Sequence, residues 1–385
     1  MNILFITYRS LFPQDNGAVV ASLSYIQRLI SSGFGVDVIA FLQDDEQAKQ
    51  TSFSATYVPF KSNYLSMLSF RWPLTIKKYY KRDMVSAIKT HLSQKKYDWV
   101  FVDHLQTSSY LPMLTKTGIP VILVEHNIEQ EIWHKYLKKC NPLIKFPVWI
   151  NYKRMIKAER KALNSVSAIV SVSPEDKKFI ETIAYYKNCF VIDPTSPISE
   201  FVHVYHPGQT LKLLFIGSYS WFPNERAALF VENKVCPLLD KRNIDYSFTL
   251  VGKGATKEMV SATENNPRIH ILGFVDNIDE VYQSNDVFIN MIFDGGGINI
   301  KLLNSLASGI PVLSSSFGVR GTGLQDKENC LIANSEEECC DILSKVYRGE
   351  IDISSFGKKE QVYYYDNIVN SPEFRRLASY LKNEK

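Results

Sequence analysis

The segment Asp294-Gly295-Gly296-Gly297-Ile298-Asn299-Ile300-Lys301 joins three consecutive glycines to a lysine a few residues on. Backbone without Cβ atoms comes close to an anion, and the free N–H groups at a helix start favour phosphate. Lys301, in the first turn of a helix expected to run to about Ser308, adds a positive charge suited to a diphosphate. The same residues also fit a flexible strand-to-helix turn with a solvated lysine. Two further clusters follow apolar runs: Asp103-His104 and Glu125-His126-Asn127. Histidine and carboxylate side chains there can move or hold protons or hydrogen-bond a polar ligand. A structural hydrogen-bonding role at a strand end fits both clusters as well. Gly17 closes a loop of turn formers, Phe12-Pro13-Gln14-Asp15-Asn16.

These residues need strands to carry them. Short β-branched runs alternate with helical patterns in both halves, the pattern of parallel α/β sheets. Strands are expected near Ile3 to Thr7, Val36 to Phe41, Trp99 to Val102, Pro120 to Val124, Ala168 to Val172 and Phe190 to Ile192. In the second half they are expected near Lys212 to Ile216, Ser247 to Val251, Arg268 to Leu272, Val287 to Asn290 and Pro311 to Ser314. Asp193-Pro194-Thr195-Ser196-Pro197 and His206-Pro207-Gly208-Gln209 break the periodicity between the halves and read as a linker. The expected fold is therefore two doubly wound Rossmann-like domains facing each other across a cleft, residues 1–200 and 201–360. Ligands then sit at the carboxyl ends of the strands.

A length of 385 residues suits two domains, and 45% apolar content with 12% aromatics rules out a disordered or collagen-like chain. Six cysteines without a CxxC pair or zinc-like spacing suggest reduced thiols in a cytosol, and the vicinal Cys339-Cys340 pair reads as incidental. MNILFITYRS lacks a basic n-region and reads as a strand rather than a signal peptide; no run is long enough to span a bilayer. The expected location is the cytoplasm, with peripheral attachment to the inner face of the cell membrane as an extension. Net charge is +4, yet residues 1–200 carry 25 Lys and Arg against 17 Asp and Glu, and residues 61–161 carry 19 against 7. The excess is concentrated in one stretch.

GGGINIKLLNSLASGIPVLSS resembles the donor-binding motif of retaining glycosyltransferases of the two-Rossmann type (GT-B), those grouped as glycosyltransferase family four. Other pieces agree in order. Phe215-Ile216-Gly217-Ser218 with Trp221-Phe222-Pro223-Asn224 resembles the opening strand and loop of the donor domain, and Leu250-Val251-Gly252-Lys253-Gly254 and Leu272-Gly273-Phe274-Val275 its next glycine turns. Phe12-Pro13 with Gly17 is similar to the first glycine loop, and Glu125-His126-Asn127 to the loop facing the donor sugar. Ala158-Glu159-Arg160 and Val172-Ser173-Pro174-Glu175-Asp176 match a further pattern.

The resemblance implies a hexosyltransferase that uses a nucleotide-sugar donor and a glycan or lipid-linked acceptor, in surface polysaccharide or glycolipid synthesis. It implies donor contacts at Gly217, Asn224, Gly252, Asp294, Gly295, Gly296, Gly297, Ile298, Asn299, Lys301 and Asn304, and acceptor contacts at Gly17, Asp103, His104 and Glu125. It further implies catalysis assisted by His126 at the sugar and Lys301 at the diphosphate, without a metal or other cofactor. A C-terminal helix, Ser371 to Lys382 within a segment 361–385, is expected to pack back across the domains. Many members carry two glutamates separated by seven residues; the matching positions here are Gly296 and Asn304, and an asparagine offers the ribose only a neutral amide. The arginine often paired with the lysine is either Arg226 or Arg320. A catalytically silent binding protein, a partner protein or a nucleotide-sugar epimerase of the same fold are the alternative readings.

Residues 61–82 and 133–161 interleave Lys and Arg with Trp, Tyr, Phe and Leu. That mixture suits an anionic membrane surface. It equally suits amphipathic helices with a core face and a solvated basic face. Nucleic acid is disfavoured because no binding motif accompanies the charge.

Overall fold

The computed structural model describes residues 1–12, 17–43, 53–61, 72–184, 187–295 and 299–384. Within them the chain forms two compact units, one of Met1–Thr195 with the C-terminal residues from Ser371, the other of Ser196–Gly295 with Asn299–Asn370.

The first unit holds a parallel sheet of β1 (Asn2–Thr7), β2 (Gly35–Gln43), β3 (Ser54–Phe60), β4 (Trp99–Asp103), β5 (Val121–Glu125), β6 (Ala168–Ser171) and β7 (Asn188–Val191). Their order is β3-β2-β1-β4-β5-β6-β7. β1, β4 and β5 are buried on both faces, which is why they read as unbroken apolar runs rather than alternating ones. On one face Leu4, Ile6, Val100 and Leu123 pack with Met155 and Leu163. On the other, Phe5, Phe101 and Ile122 pack with Ile26 and with Phe374, Leu377 and Leu381 of the helix Pro372–Asn383. Trp99 Nε1 donates to the Leu381 carbonyl at 3.0 Å, fixing that C-terminal helix to the sheet of the first unit.

The second unit holds β8 (Leu211–Ile216), β9 (Tyr246–Val251), β10 (Ile269–Gly273), β11 (Val287–Asn290), β12 (Val312–Ser314) and β13 (Leu331–Ile332), in the order β10-β9-β8-β11-β12-β13. Both sheets are parallel, and in each the strand order reverses beside the first strand, between β1 and β4 and between β8 and β11. Ligands of doubly wound sheets bind at the carboxyl ends of such a pair. The sequence-derived strands agree with these, except that β3 and β13, both at sheet edges, are additional. Among the described residues no helix is long and apolar enough to cross a membrane.

Glycines set how closely the strand-end loops of the second unit nest. Gly252 follows β9 with φ +142°, and a Cβ there would overlap the Gly217 carbonyl at the end of β8. Its N–H donates to the Gly273 carbonyl at 2.7 Å, so the three glycine turns after β8, β9 and β10 lie side by side. Gly208, in the same unit, also has positive φ, but a Cβ there meets nothing within 4 Å. Gly252→Ala is expected to cost about 3 kcal/mol or more, combining backbone strain with overlap, and Gly208→Ala about 1 kcal/mol from the backbone alone. Urea unfolding of the two variants checks this; equal losses would mean that the nesting of the loops is not what the glycine protects.

Candidate functional site

The carboxyl ends of β8 and β11 gather the donor-motif residues. Gly217 leaves room for the Asn224 side chain, whose amide nitrogen would lie 2.8 Å from a Cβ at 217. Asn224 sits in the first turn of the helix Phe222–Phe230 and donates to the Ser218 carbonyl at 2.9 Å. Its amide is thereby oriented so that its oxygen accepts from Lys301 Nζ at 2.6 Å. Lys301 stands in the first turn of the helix Ile300–Ser308, with its ammonium 5.5 Å from the Phe215 ring centroid. Burial lowers its pKa to about 8. Among the described residues no carboxylate pairs with it, so the cation is solvated by one neutral amide and an aromatic face. A buried charge of this kind is costly until an anion joins it.

Asn299 immediately precedes the same helix, and its amide nitrogen donates at 2.8 Å to the Asn290 side chain at the end of β11 rather than capping the helix. Asn290 in turn donates to Ser314 Oγ of β12 at 3.0 Å. This relay ties the helix start to two strand ends. Gly295 has φ +139°, a conformation that favours glycine, with open space around it. Gly296, Gly297 and Ile298 lie outside the described residues.

Asp294 is exposed and sits 3.3 Å from Arg226 Nη1, a pair worth little by itself. Arg226 is thus placed beside the glycine motif, whereas Arg320 stacks on Phe317 at 4.6 Å. Asn304, at the second motif position, accepts from Ser196 Oγ at 2.8 Å, so its amide oxygen is engaged within the unit. Trp221, just before the helix Phe222–Phe230, is 56% exposed and lies outside the core.

In the first unit, the ends of β4 and β5 bring Asp103, His104 and His126 together. Asp103 is fully enclosed: its carboxylate accepts from Thr7 Oγ1 at 2.8 Å, from Ser22 Oγ at 2.6 Å and from His126 Nε2 at 2.7 Å. Flanking histidines and these hydrogen bonds hold its pKa far below the usual carboxylate range despite burial. An ionised carboxylate cannot donate, so His126 Nε2 carries a proton and Nδ1 is the nitrogen turned away from Asp103. His104 has φ +67°, and its ring lies on that of His126 with centroids 3.6 Å apart and planes 10° apart. Its Nδ1 is 2.9 Å from Asp103 but off the line of a hydrogen bond, and burial lowers its pKa to about 4.

Two residues read from the sequence as acceptor contacts therefore stand differently. Asp103 has its oxygens taken by three donors and acts as the anchor of the histidines. Glu125 is likewise enclosed, among Glu159, Glu129 and Asp176, and desolvation raises its pKa well above the ordinary value. Glu159, pushed up to about 7 by burial, accepts from the backbone N–H groups of Glu129 and Gln130 and so caps the helix Glu129–Lys139 from a neighbouring helix. Gly17 opens the helix Gly17–Ser31, which presents Ser22 to Asp103. Thr7 and Ser22 carried no signal in the sequence, since they lie 96 and 81 residues from their partner.

The ligand atoms of Asp103, His104 and His126 lie within 4.8 Å of one another, the donor set of a divalent cation. Stacked imidazole planes and hydroxyl donors on Asp103 suit hydrogen bonding better than coordination, because a metal needs converging lone pairs. Asp103→Asn replaces a carboxylate oxygen by a donor facing donors and is expected to cost about 3 kcal/mol or more, whereas His126→Gln costs less than half of that. Urea unfolding of both tests the anchor role; equal costs would remove it.

Residues 15–193 match the family model described as Glycosyltransferase Family 4, and residues 210–348 the model Glycosyl transferases group 1. A 44.6 kDa protein in the cps region of Klebsiella pneumoniae is 25% identical over 342 residues, covering 84% of this chain and 85% of that one. The fold matches TarM at a TM-score of 0.71 with 11% identity, covering 100% of this chain and 99% of that one. It matches the sucrose-phosphate synthase of Thermosynechococcus elongatus at 0.69 with 12% identity (99% and 98% covered), and Anabaena HepE in complex with UDP and glucose at 0.65 with 13% identity (99% of each). With both Rossmann-like sheets matched, the chain belongs to glycosyltransferase family four and is a glycosyltransferase of the GT-B kind.

Proposed function

We propose that the chain moves a hexose from a nucleotide-sugar donor to a glycan or lipid-linked acceptor, with retention, in the synthesis of a surface polysaccharide or glycolipid. The observation that carries this reading is the Lys301 ammonium, enclosed at a helix start and partnered by the Asn224 amide rather than by a carboxylate. A diphosphate is the anion that such a cation and the adjoining N–H groups suit. The HepE complex with UDP and glucose and the cps-region relative support the donor class and the setting.

In this reaction the acceptor hydroxyl attacks the anomeric carbon on the face that the diphosphate leaves. The bond from that carbon to the phosphate oxygen breaks as the new glycosidic bond forms, and the acceptor proton passes to the departing phosphate. Lys301 stabilises the charge that grows on the diphosphate. His126, with Nε2–H committed to Asp103, offers Nδ1 to a sugar hydroxyl and shapes the sugar site rather than serving as base. No metal is required by this scheme. A binding protein without turnover is the second reading, favoured by Gly296 and Asn304 in place of the family glutamates and by the engagement of Asn304 with Ser196.

Release of free nucleoside diphosphate from a panel of UDP-, GDP-, dTDP- and ADP-sugars separates the two. Turnover with one of them is the expected result, and binding without release would favour the second reading. Lys301→Ala is expected to lower kcat/KM about 100-fold, the loss of one charge-assisted contact. Because burial lowers the lysine's pKa to about 8 and only its protonated form pairs with the anion, nucleoside diphosphate affinity should be level below about pH 7 and fall roughly twofold by pH 8. Above that it should fall by up to about tenfold per pH unit. A profile unchanged by Lys301→Ala would sink the assignment.

A further inference from the structure

The helices Glu129–Lys139 and Lys145–Ser165 form a hairpin whose tip is apolar and uncovered. The first of these helices has no fully buried residue. Residues 141–147 are all exposed, with Leu143 at 88% and Phe146 at 69%, and Trp149 follows at 45%. Both readings open for this basic, aromatic stretch meet in it: Val148, Met155 and Leu163 give the second helix a core face, while Leu143, Phe146 and Trp149 at the tip point away from the core.

The tip is also built rather than loose. Asn141 Oδ1 accepts from the Leu143 N–H at 2.9 Å, and Pro142 and Pro147 restrict the chain on either side. His134 and Tyr152 stack at 5.5 Å and clasp the two helices, and Phe146 stacks on Trp149 at 6.2 Å. From residue 132 to residue 154 the chain carries Lys135, Lys138, Lys139, Lys145, Lys153 and Arg154 and not one Asp or Glu. Lys153 holds its ammonium 5.9 Å from the Trp149 ring.

We propose that this tip docks the first unit on an anionic lipid bilayer, Leu143 and Phe146 entering the acyl boundary, Trp149 at headgroup level and the lysines against lipid phosphates. A protruding apolar point ringed by one sign of charge fits a phosphate-rich surface that yields to insertion. The inference extends the proposed lipid-linked acceptor to the surface on which it is carried, and rests on that reading for the acceptor alone.

Flotation of the full chain with vesicles of phosphatidylcholine, with and without phosphatidylglycerol, tests it. At least about tenfold stronger partitioning to the anionic vesicles is expected, weakening as salt rises. The triple variant Leu143→Ser, Phe146→Ser, Trp149→Ser and the charge-reversed Lys138→Glu, Lys139→Glu, Lys145→Glu should each lose about tenfold or more. Both alter exposed side chains, so unchanged melting by circular dichroism is expected, and release of nucleoside diphosphate with a water-soluble acceptor should stay at the wild-type rate. That assay keeps the two readings apart: absent turnover with intact flotation overturns the function and leaves the tip standing. Equal partitioning to neutral and anionic vesicles, or flotation unaffected by both variants, overturns the docking. A wild-type dimer in light scattering that the triple variant dissolves would also overturn it, giving the tip to a second copy of the chain.

Discussion

A half-buried ammonium with no carboxylate partner among the described residues is the constraint around which the second unit is arranged. Desolvation moves Lys301 toward neutrality, and among the described residues the Asn224 amide and the Phe215 ring face its charge. Each of those is placed by something earlier in the chain. Asn224 is aimed by its bond to the Ser218 carbonyl and has space because residue 217 lacks a side chain. Phe215 belongs to β8, and β8 pairs with β11, whose terminal Asn290 grips Asn299 just before the lysine's own helix. A carboxylate in place of Asn224 would settle the lysine and close the site to an anion.

Asp103 in the first unit is the opposite case. Its charge is buried more completely, yet three donors satisfy it, and it stays ionised far below the pH at which an ordinary carboxylate protonates. A charge so well compensated has little left for a ligand. Its effect passes to His126, whose Nε2 proton it engages and whose other nitrogen is turned away from it. The unusual backbone at His104, φ +67°, accompanies the same arrangement, in which its ring lies flat against His126.

Much of this was legible before any coordinates, for reasons that differ by residue. Strands buried on both faces, such as Ile3 to Thr7 and Val287 to Asn290, announce themselves because nothing polar interrupts them. β3 escaped because Pro59 and half-exposed neighbours blur an edge strand, and β13 is two residues long. The glycine and lysine of the donor motif are local in sequence and were read directly. What was not legible is which polar atoms are already spent. Asp103 looks from its neighbours like a residue available to a sugar, but Thr7, Ser22 and His126, brought in by other elements, occupy its oxygens. Asn304 is engaged by a serine more than a hundred residues away.

The uneven charge of the chain separates into two scales by the same reasoning. Within the first unit the ionisable groups at the strand ends are few and desolvated, and Glu125 and Glu159 are pushed toward their neutral forms. Much of the surplus of Lys and Arg among the described residues resides instead on exposed helix surfaces, where charges are screened. Such a surplus contributes almost nothing to folding, because screened surface charges of one sign only repel. It acts over a distance comparable to the Debye length, about 8 Å at physiological salt, and therefore on whatever large anionic surface approaches. Binding a single diphosphate needs one desolvated cation in a fixed place, as Lys301 provides; holding a whole face against a charged surface needs many solvated ones. The sequence stretch that supplies the second is thus under no obligation to lie near the first.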